Sequence, residues 1–549
     1  MSTVMNTIKI MDMYIHDLIK LTPSFNDFVG LLEYKELKKH WENSLSDEYL
    51  ELTKQLYKTY LKLMKQQQKK DKKHNMQKSK DIDSWEKSFI YDLTSSLQLI
   101  DSPMIYMPIN HLENPILGYI EMTLGDSMYD FDTVQDYKWF IQKTHEFEVW
   151  CQTAINRMKQ GIQKKYVLPK LSVVRVIKQL KAALKNKEYM EHKIKIKLSF
   201  DFLHEIDIIL TRLITTLLRF LEHIYLKHSP EQVGFYQYPH GKKFYKLFVK
   251  SETGINALTI SQIHKLGLKE VNRIYKEIHS VMHDLKFNGT FKQFNDMIYE
   301  NKSLKFKNEK DMDTVYKQLQ KIVDKDIMKP LFPDKIKQNA IIKPVPSYME
   351  DGAPAAYYMP GDLAGKRKGV FYYNSQSPTR TNKFEAEAMY LHEDSPGHHY
   401  QITLTNLNKK IPLFIRLLDN NAYCEGWGLY CENLGKYDNK YNYFGKLNME
   451  MLRAIRLVVD TGLHYYGWSV EDCFSFFRKF SNSPEHEIES EVYRYIVDPA
   501  QALSYKIGEI TLLQLRKEYM KKNKTLQEFH HDVLINGPLP LEILKQTMK

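Results

Sequence analysis

The stretch Tyr390-Leu-His-Glu-Asp-Ser-Pro-Gly-His-His-Tyr-Gln401 gathers three imidazoles and a carboxylate around a Pro-Gly pair. In the regular arrangement His-Glu-x-x-His, two histidines one helical turn apart bind Zn2+, and the glutamate beside the first handles the proton of the attacking water. Here His392 and Glu393 open that pattern, Pro396 stands where the second histidine belongs, and His398 and His399 arrive too late. On an undistorted helix His398 would point about 120° away from His392, and His399 would lie about 10.5 Å further along the axis, so neither could share an ion with it. Pro396 cannot donate to the carbonyl of His392, and Gly397 accepts backbone angles closed to other residues, so the pair predicts that two residues loop out of the helix. Subtracting them returns His398 to the i+4 position. His392 and His398 are therefore the preferred ligands, His399 stands in reserve, and Glu393 is the proton acceptor.

The dipeptide His-Glu also occurs at His145, His204 and His486, in each case with no histidine close behind it. A catalytic zinc needs a third protein ligand and an open position for water. Glu425, in Tyr423-Cys-Glu-Gly-Trp-Gly-Leu-Tyr-Cys-Glu432, is the candidate. Glu432 shares its helix face and can hold a ligand imidazole from behind. Two carboxylates brought together among Trp427, Leu429 and Tyr430 call for a cation nearby. Further on, Asp460 and His464 are one turn apart, a pairing expected to orient the imidazole and favour its charged form. Arg494, Tyr495 and Tyr505 follow. Phenol, imidazolium and guanidinium are the donors that a carbonyl oxygen requires as it gains charge, so Tyr495 or Tyr505, helped by His464, would stabilise it.

These residues need a scaffold, and the composition describes a large, mainly helical one. The chain has 549 residues, sparse Gly and Pro (22 and 20), and 27% charged residues. Apolar residues recur at helical spacing over 8–63, 85–100, 137–161, 171–184 and 202–226, and Thr259-Ile-Ser-Gln262 reads as a capping box. Near 302–346 the character changes. The runs 355–359 and 369–373 read as a hairpin just ahead of the histidine cluster, either a structural element or an edge that holds a substrate backbone. The expected division is a helical portion over 1–340 and a site-bearing portion over 341–549, together forming one catalytic unit.

The formal charge of +12 admits a nucleic-acid partner. However, the densest basic run, 65–80, has no arginine or aromatic residue, so a solvated helix end is the better reading. Four cysteines without paired short spacing and an N-terminal apolar stretch broken by charges fit a cytoplasmic protein. The long apolar segment 206–226 carries Asp207, Arg212, Arg219 and Glu222, which excludes a membrane span.

The series His392-Glu-Asp-Ser-Pro-Gly-His-His-Tyr-Gln401, Glu425-Gly-Trp-Gly-Leu-Tyr-Cys-Glu432, Val459-Asp-Thr-Gly-Leu-His-Tyr-Tyr-Gly-Trp468 and Arg494-Tyr-Ile-Val-Asp-Pro-Ala-Gln-Ala-Leu-Ser-Tyr-Lys-Ile-Gly508 resembles the domain of unknown function 885 family. The likeness extends upstream through Gly234-Phe-Tyr-Gln-Tyr-Pro-His-Gly241 and downstream to Gly537-Pro-Leu-Pro-Leu541. It implies a mostly α-helical unit of the gluzincin zinc-peptidase type, with the active site in a deep channel. In that reading Glu425 and Glu432 are similar in spacing to the paired glutamates of oligopeptidases, and Arg494-Tyr495 is similar to the arginine-tyrosine pair of converting enzymes. The expectation is a zinc metallopeptidase acting on peptides. The rival readings are a catalytically silent helical binding protein on the same scaffold, or a basic nucleic-acid-binding protein.

Overall fold

Hydroxyl and amide side chains set many of the helix starts. At Thr259 the side chain accepts the Gln262 amide while Gln262 reaches back to the Thr259 amide, so the expected capping box forms and opens α1, Ile260–Asp284. The same reciprocal pairing occurs at Thr133 with Asp136 and at Ser469 with Asp472. In this computed structural model the described residues are 3–29, 31–124, 129–194, 196–336, 338–346, 354–363, 367–481 and 483–549. They form a mainly α-helical protein with one small sheet. Among them no helix is long and apolar enough to cross a membrane.

The chain forms two compact units. One comprises Met1–Gln77, Asp92–Leu247 and Ile496–Asp498, and the other Lys78–Tyr91, Phe248–Tyr495 and Pro499–Lys549. This boundary does not coincide with a division at 340/341. The stretch 302–346 lies inside the second unit because Lys305 bridges to Asn382 and Ile341–Pro344 pairs with Val370–Tyr373. The first unit is helical, with Asp47–Lys73, Val134–Lys164, Lys170–Asn186 and Phe202–His223 as its long elements. Five lysines of the basic run, Lys65, Lys69, Lys70, Lys72 and Lys73, sit exposed at the end of the first of these, where positive charge complements the helix C-terminus, while Lys78 beyond it pairs with Glu86.

The second unit carries the candidate site. The helices that bear on it are α1, α2 (Ala386–Glu393), α3 (His398–Leu407), α4 (Asn421–Glu432), α5 (Lys440–Thr461), α6 (Glu485–Val497, its last two residues falling in the first unit) and α7 (Ser504–Met520). Close crossings rest on glycine. A Cβ on Gly267 of α1 would lie 2.7 Å from Leu457 of α5, and one on Gly426 of α4 would lie 2.4 Å from the Cα of Gly508 of α7. The sheet has the order β1 (Ile341–Pro344), β3 (Val370–Tyr373), β2 (Ala356–Met359). β2 and β3 form the expected antiparallel pair, with Tyr358 opposite Phe371. Residues 364–366 of the intervening turn lie outside the described residues. The parallel strand β1 was not legible in the sequence, because 341–344 has no alternation and ends on a proline. β2 is an edge strand, and it lies beside α2.

Two fully buried histidines of this unit give it a pH dependence. His464 sends Nε2–H to the Tyr495 carbonyl at 2.8 Å, and His530 donates from Nδ1 to the Leu331 carbonyl at 2.9 Å while accepting the Tyr430 hydroxyl at 2.8 Å. Burial holds both imidazoles down at about 4, whereas in an unfolded chain they titrate near their ordinary value of about 6.5. The unfolded state therefore binds more protons between these values, and the stability present above pH about 6.5 is lost as pH falls towards 4. Each histidine is expected to remove about 1.4 kcal/mol per pH unit in that window. Urea unfolding between pH 7 and 5 checks this, and His530→Gln should remove its share of the slope.

Candidate metal centre

The ligand helix does not bulge, as the spacing predicted; it stops and restarts. α2 ends at Glu393, Asp394 leaves helical geometry (φ −98°, ψ −111°), and α3 begins at His398 after Gly397 (φ −71°, ψ −134°). The reason is steric as well as the missing proline donor. Gly397 is pressed onto the carbonyl that Pro396 cannot satisfy: a Cβ there would lie 1.8 Å from the His392 oxygen. Trp427 of α4 ties down the break, donating from Nε1 to the Pro396 carbonyl at 2.8 Å.

This break brings His392 and His398 together, with ring centroids 4.8 Å apart and planes at 88°. The Nε2 atoms of both rings approach one oxygen, Oε2 of Glu425, at 3.4 and 3.5 Å. Ligand atoms of His392, Glu393 and His398 all lie within 4.8 Å of one another. Behind His392, its Nδ1 contacts Oε1 of buried Glu432 at 2.8 Å, a bond that orients the ring and leaves Nε2 directed at Glu425. The donor set is thus two imidazoles and two carboxylates, with a third carboxylate behind. That is the chemistry a divalent cation takes, and Zn2+ in particular. Electrostatics agree. Burial opposes protonation of His392, yet hydrogen bonds to Glu425 and Glu432 outweigh it and push the imidazole up to about 10. Burial likewise opposes ionisation of Glu425, but the two histidines hold it well below the usual carboxylate range. The carboxylates thus favour positive charge on the imidazoles between them.

Gly428 makes room for this. A Cβ on it would meet Cε1 and Nε2 of His392 at 2.7 Å, so any side chain there evicts the ring. Gly428→Ala is expected to cost about 1–3 kcal/mol by overpacking and to weaken metal affinity about 10- to 100-fold by turning the ligand. Metal titration against a competing chelator, alongside thermal unfolding, checks both effects.

Glu393 is partly exposed and reaches the sheet edge, where the Tyr358 amide donates to its Oε2 at 3.1 Å. This contact has no sequence signal, since it joins a side chain to a distant backbone group. His399 turns away from the ligands. Its Nδ1 meets the Tyr358 hydroxyl and its Nε2 the Gln338 carbonyl, both at 3.0 Å, and burial holds it down at about 4. A neutral ring donating from Nε2 and accepting at Nδ1 satisfies both partners, so His399 secures the sheet instead of acting as a reserve ligand.

The later candidates separate. Tyr505 lies one turn before Gly508, where α7 touches Gly426, the neighbour of Glu425, and it is partly exposed. Burial and then the Glu425 charge raise its phenol, while Arg456 and Arg494 pull the other way. Tyr495 is different: it is fully buried, and its hydroxyl is committed to Glu491. The expectation of a charged His464 also fails. The ring is neutral, donates to the Tyr495 carbonyl, and stands 4.0 Å from Asp460, whose Oδ2 accepts the Ala500 amide at 3.2 Å. Arg494 reaches Gln501 at 2.8 Å. Two residues missed in the sequence complete this group: Arg456, one turn before Asp460 on α5, and Glu491, which Arg456 grips at 3.0 and 3.2 Å.

The profile of the family described as "Bacterial protein of unknown function (DUF885)" matches residues 23–548. Among solved structures, "the putative lipoprotein from Colwellia psychrerythraea" superposes with a TM-score of 0.84 at 22% identity, covering 100% of this chain and 98% of that one. A second, "a putative lipoprotein of unknown function from Shewanella oneidensis", gives a TM-score of 0.75 at 16% identity, covering 99% of both chains. At these identities the likeness carries the fold alone. No curated protein matches the chain.

Proposed function

Because this chain belongs to the DUF885 family, whose description assigns no activity, we propose one from the site itself: a zinc-dependent hydrolase of the gluzincin type, a metallopeptidase acting on peptides. The observation that carries this reading is the convergence of His392 and His398 on a single Glu425 oxygen, at 3.4 and 3.5 Å, with Glu393 alongside. His392, His398 and Glu425 would hold the ion. Zn2+ bound there supplies a Lewis acid for the scissile carbonyl and lowers the pKa of water.

The chain's own groups do the rest. Glu432 keeps Nδ1 of His392 engaged, so that Nε2 faces the ion. Glu393 takes the proton of the attacking water and later delivers it to the leaving amine. Tyr505 donates its phenolic proton as a hydrogen bond to the carbonyl oxygen as charge develops, which suits a hydroxyl whose ionisation is suppressed. The exposed edge of β2 next to Glu393 offers backbone groups to an extended substrate.

Elemental analysis of the purified protein, with digestion of a mixed peptide library read by mass spectrometry with and without chelator, tests the reading. One zinc per chain and chelator-sensitive cleavage are expected. A protein carrying no stoichiometric zinc would overturn it.

A further inference from the structure

Two guanidinium groups converge on one carboxylate beside Tyr505. Arg456 grips Glu491 through Nε and one terminal nitrogen, stacks over the Tyr505 ring at 4.4 Å, and keeps its Nη1 buried with no hydrogen-bond partner among the described residues. Arg494 shares Glu491 only loosely, at 3.5 Å, and places its other terminal nitrogen 2.8 Å from Gln501. Its side chain is 23% exposed, against 6% for Arg456, so the accessible charge belongs to Arg494. Glu491 already serves both arginines and the Tyr495 hydroxyl. The group therefore keeps a net positive charge and spare N–H donors, and Tyr505 interacts with both its arginines and Glu425 of the carboxylate-rich centre. Gln501 lies one turn before Tyr505 and interacts with both Arg494 and Tyr505, linking the guanidinium to the phenol.

Planar, forked N–H donors match a carboxylate in two-point contact. We propose that Arg494, steadied by Gln501 and backed by Arg456, receives a carboxylate of the peptide substrate and so selects which bond reaches the metal centre. This rests on the hydrolase reading above and deepens it. Gln501 contacts both the Arg494 guanidinium and Tyr505, so the recognised carboxylate lies near the bond that Tyr505 serves and is sought in the residues just after it. It is either the free C-terminus or an Asp or Glu side chain.

The test compares one peptide series: free acid against C-terminal amide, and acidic against neutral side chains in the two residues after the cleaved bond. Cleavage kinetics are read on the wild-type protein and calorimetric binding on the full-length Glu393→Gln protein, so recognition is measured even where nothing is cleaved. One of the two carboxylate sources should improve KM and binding about 10- to 100-fold, as a charge-assisted pair implies. That preference should vanish in Arg494→Gln and partly return in Arg494→Lys. A preference for the free acid assigns the C-terminus, and a preference for Asp or Glu assigns the side chain. Equal KM and equal binding across the series in the wild-type background, or a preference that survives Arg494→Gln, overturns the proposal. Carboxylate-dependent binding without any cleavage would retain the proposal and remove the hydrolase reading.

Discussion

Glu393→Gln is expected to lower kcat by about 10²- to 10⁴-fold, the contribution of a positioned general base, while zinc content and KM stay close to wild type. The amide is nearly isosteric with the carboxylate, and its carbonyl oxygen can still accept the Tyr358 amide that now meets Oε2 at 3.1 Å. What it cannot do is take a proton from water. The substitution therefore isolates chemistry from architecture. Peptide turnover under saturating substrate, read beside elemental analysis of the same preparation, decides it. Activity within a few-fold of wild type would remove Glu393 from the mechanism, and loss of zinc would show that it serves as a ligand.

The second large effect separates the adjacent histidines. His398→Ala and His392→Ala should each arrive without stoichiometric zinc, because each removes one of the two nitrogens that approach the Glu425 oxygen. His399→Ala should retain zinc, since both of its nitrogens are occupied by Tyr358 and Gln338. Its expected cost is stability, about 1–3 kcal/mol, because the Tyr358 hydroxyl and the Gln338 carbonyl each lose a hydrogen bond. Zinc stoichiometry and thermal unfolding of the three variants together form the check. A zinc-free His399→Ala protein alongside a zinc-loaded His398→Ala protein would require the ligand set to be redrawn.

Much of the site was legible because its information is local. Pro396 and Gly397 disrupt a helix for reasons internal to the peptide, and that disruption was enough to prefer His398 over His399. Glu425 and Glu432 share a helix face by spacing alone, and Glu432 does stand behind His392. The form of the disruption was not legible. Whether the chain bulges within one helix or ends it depends on Gly397 settling against the His392 carbonyl and on Trp427 holding Pro396, both of them packing events. The same limit applies to Asp460 and His464. Their one-turn spacing is real, but the carbonyl of Tyr495 and complete burial govern the ring's charge, and that carbonyl comes from α6, far along the chain.

Residue types and spacing by themselves therefore determined the mainly helical class, the capped helix starts, the β2–β3 pair and the His392, His398 and Glu425 candidates, since each follows from periodicity or from neighbours within a few turns. Tertiary structure alone decided which candidates meet. It set Tyr505 beside Glu425 through the Gly426–Gly508 crossing and brought Arg456 of α5 onto Glu491, which already holds Tyr495 and Arg494 as one-turn neighbours on α6. A phenol or a guanidinium carries the same chemistry wherever it falls in the chain. Its role is conferred by the partner within hydrogen-bond distance, and for Arg456 and Tyr505 that partner lies on another helix, where no local pattern encodes it.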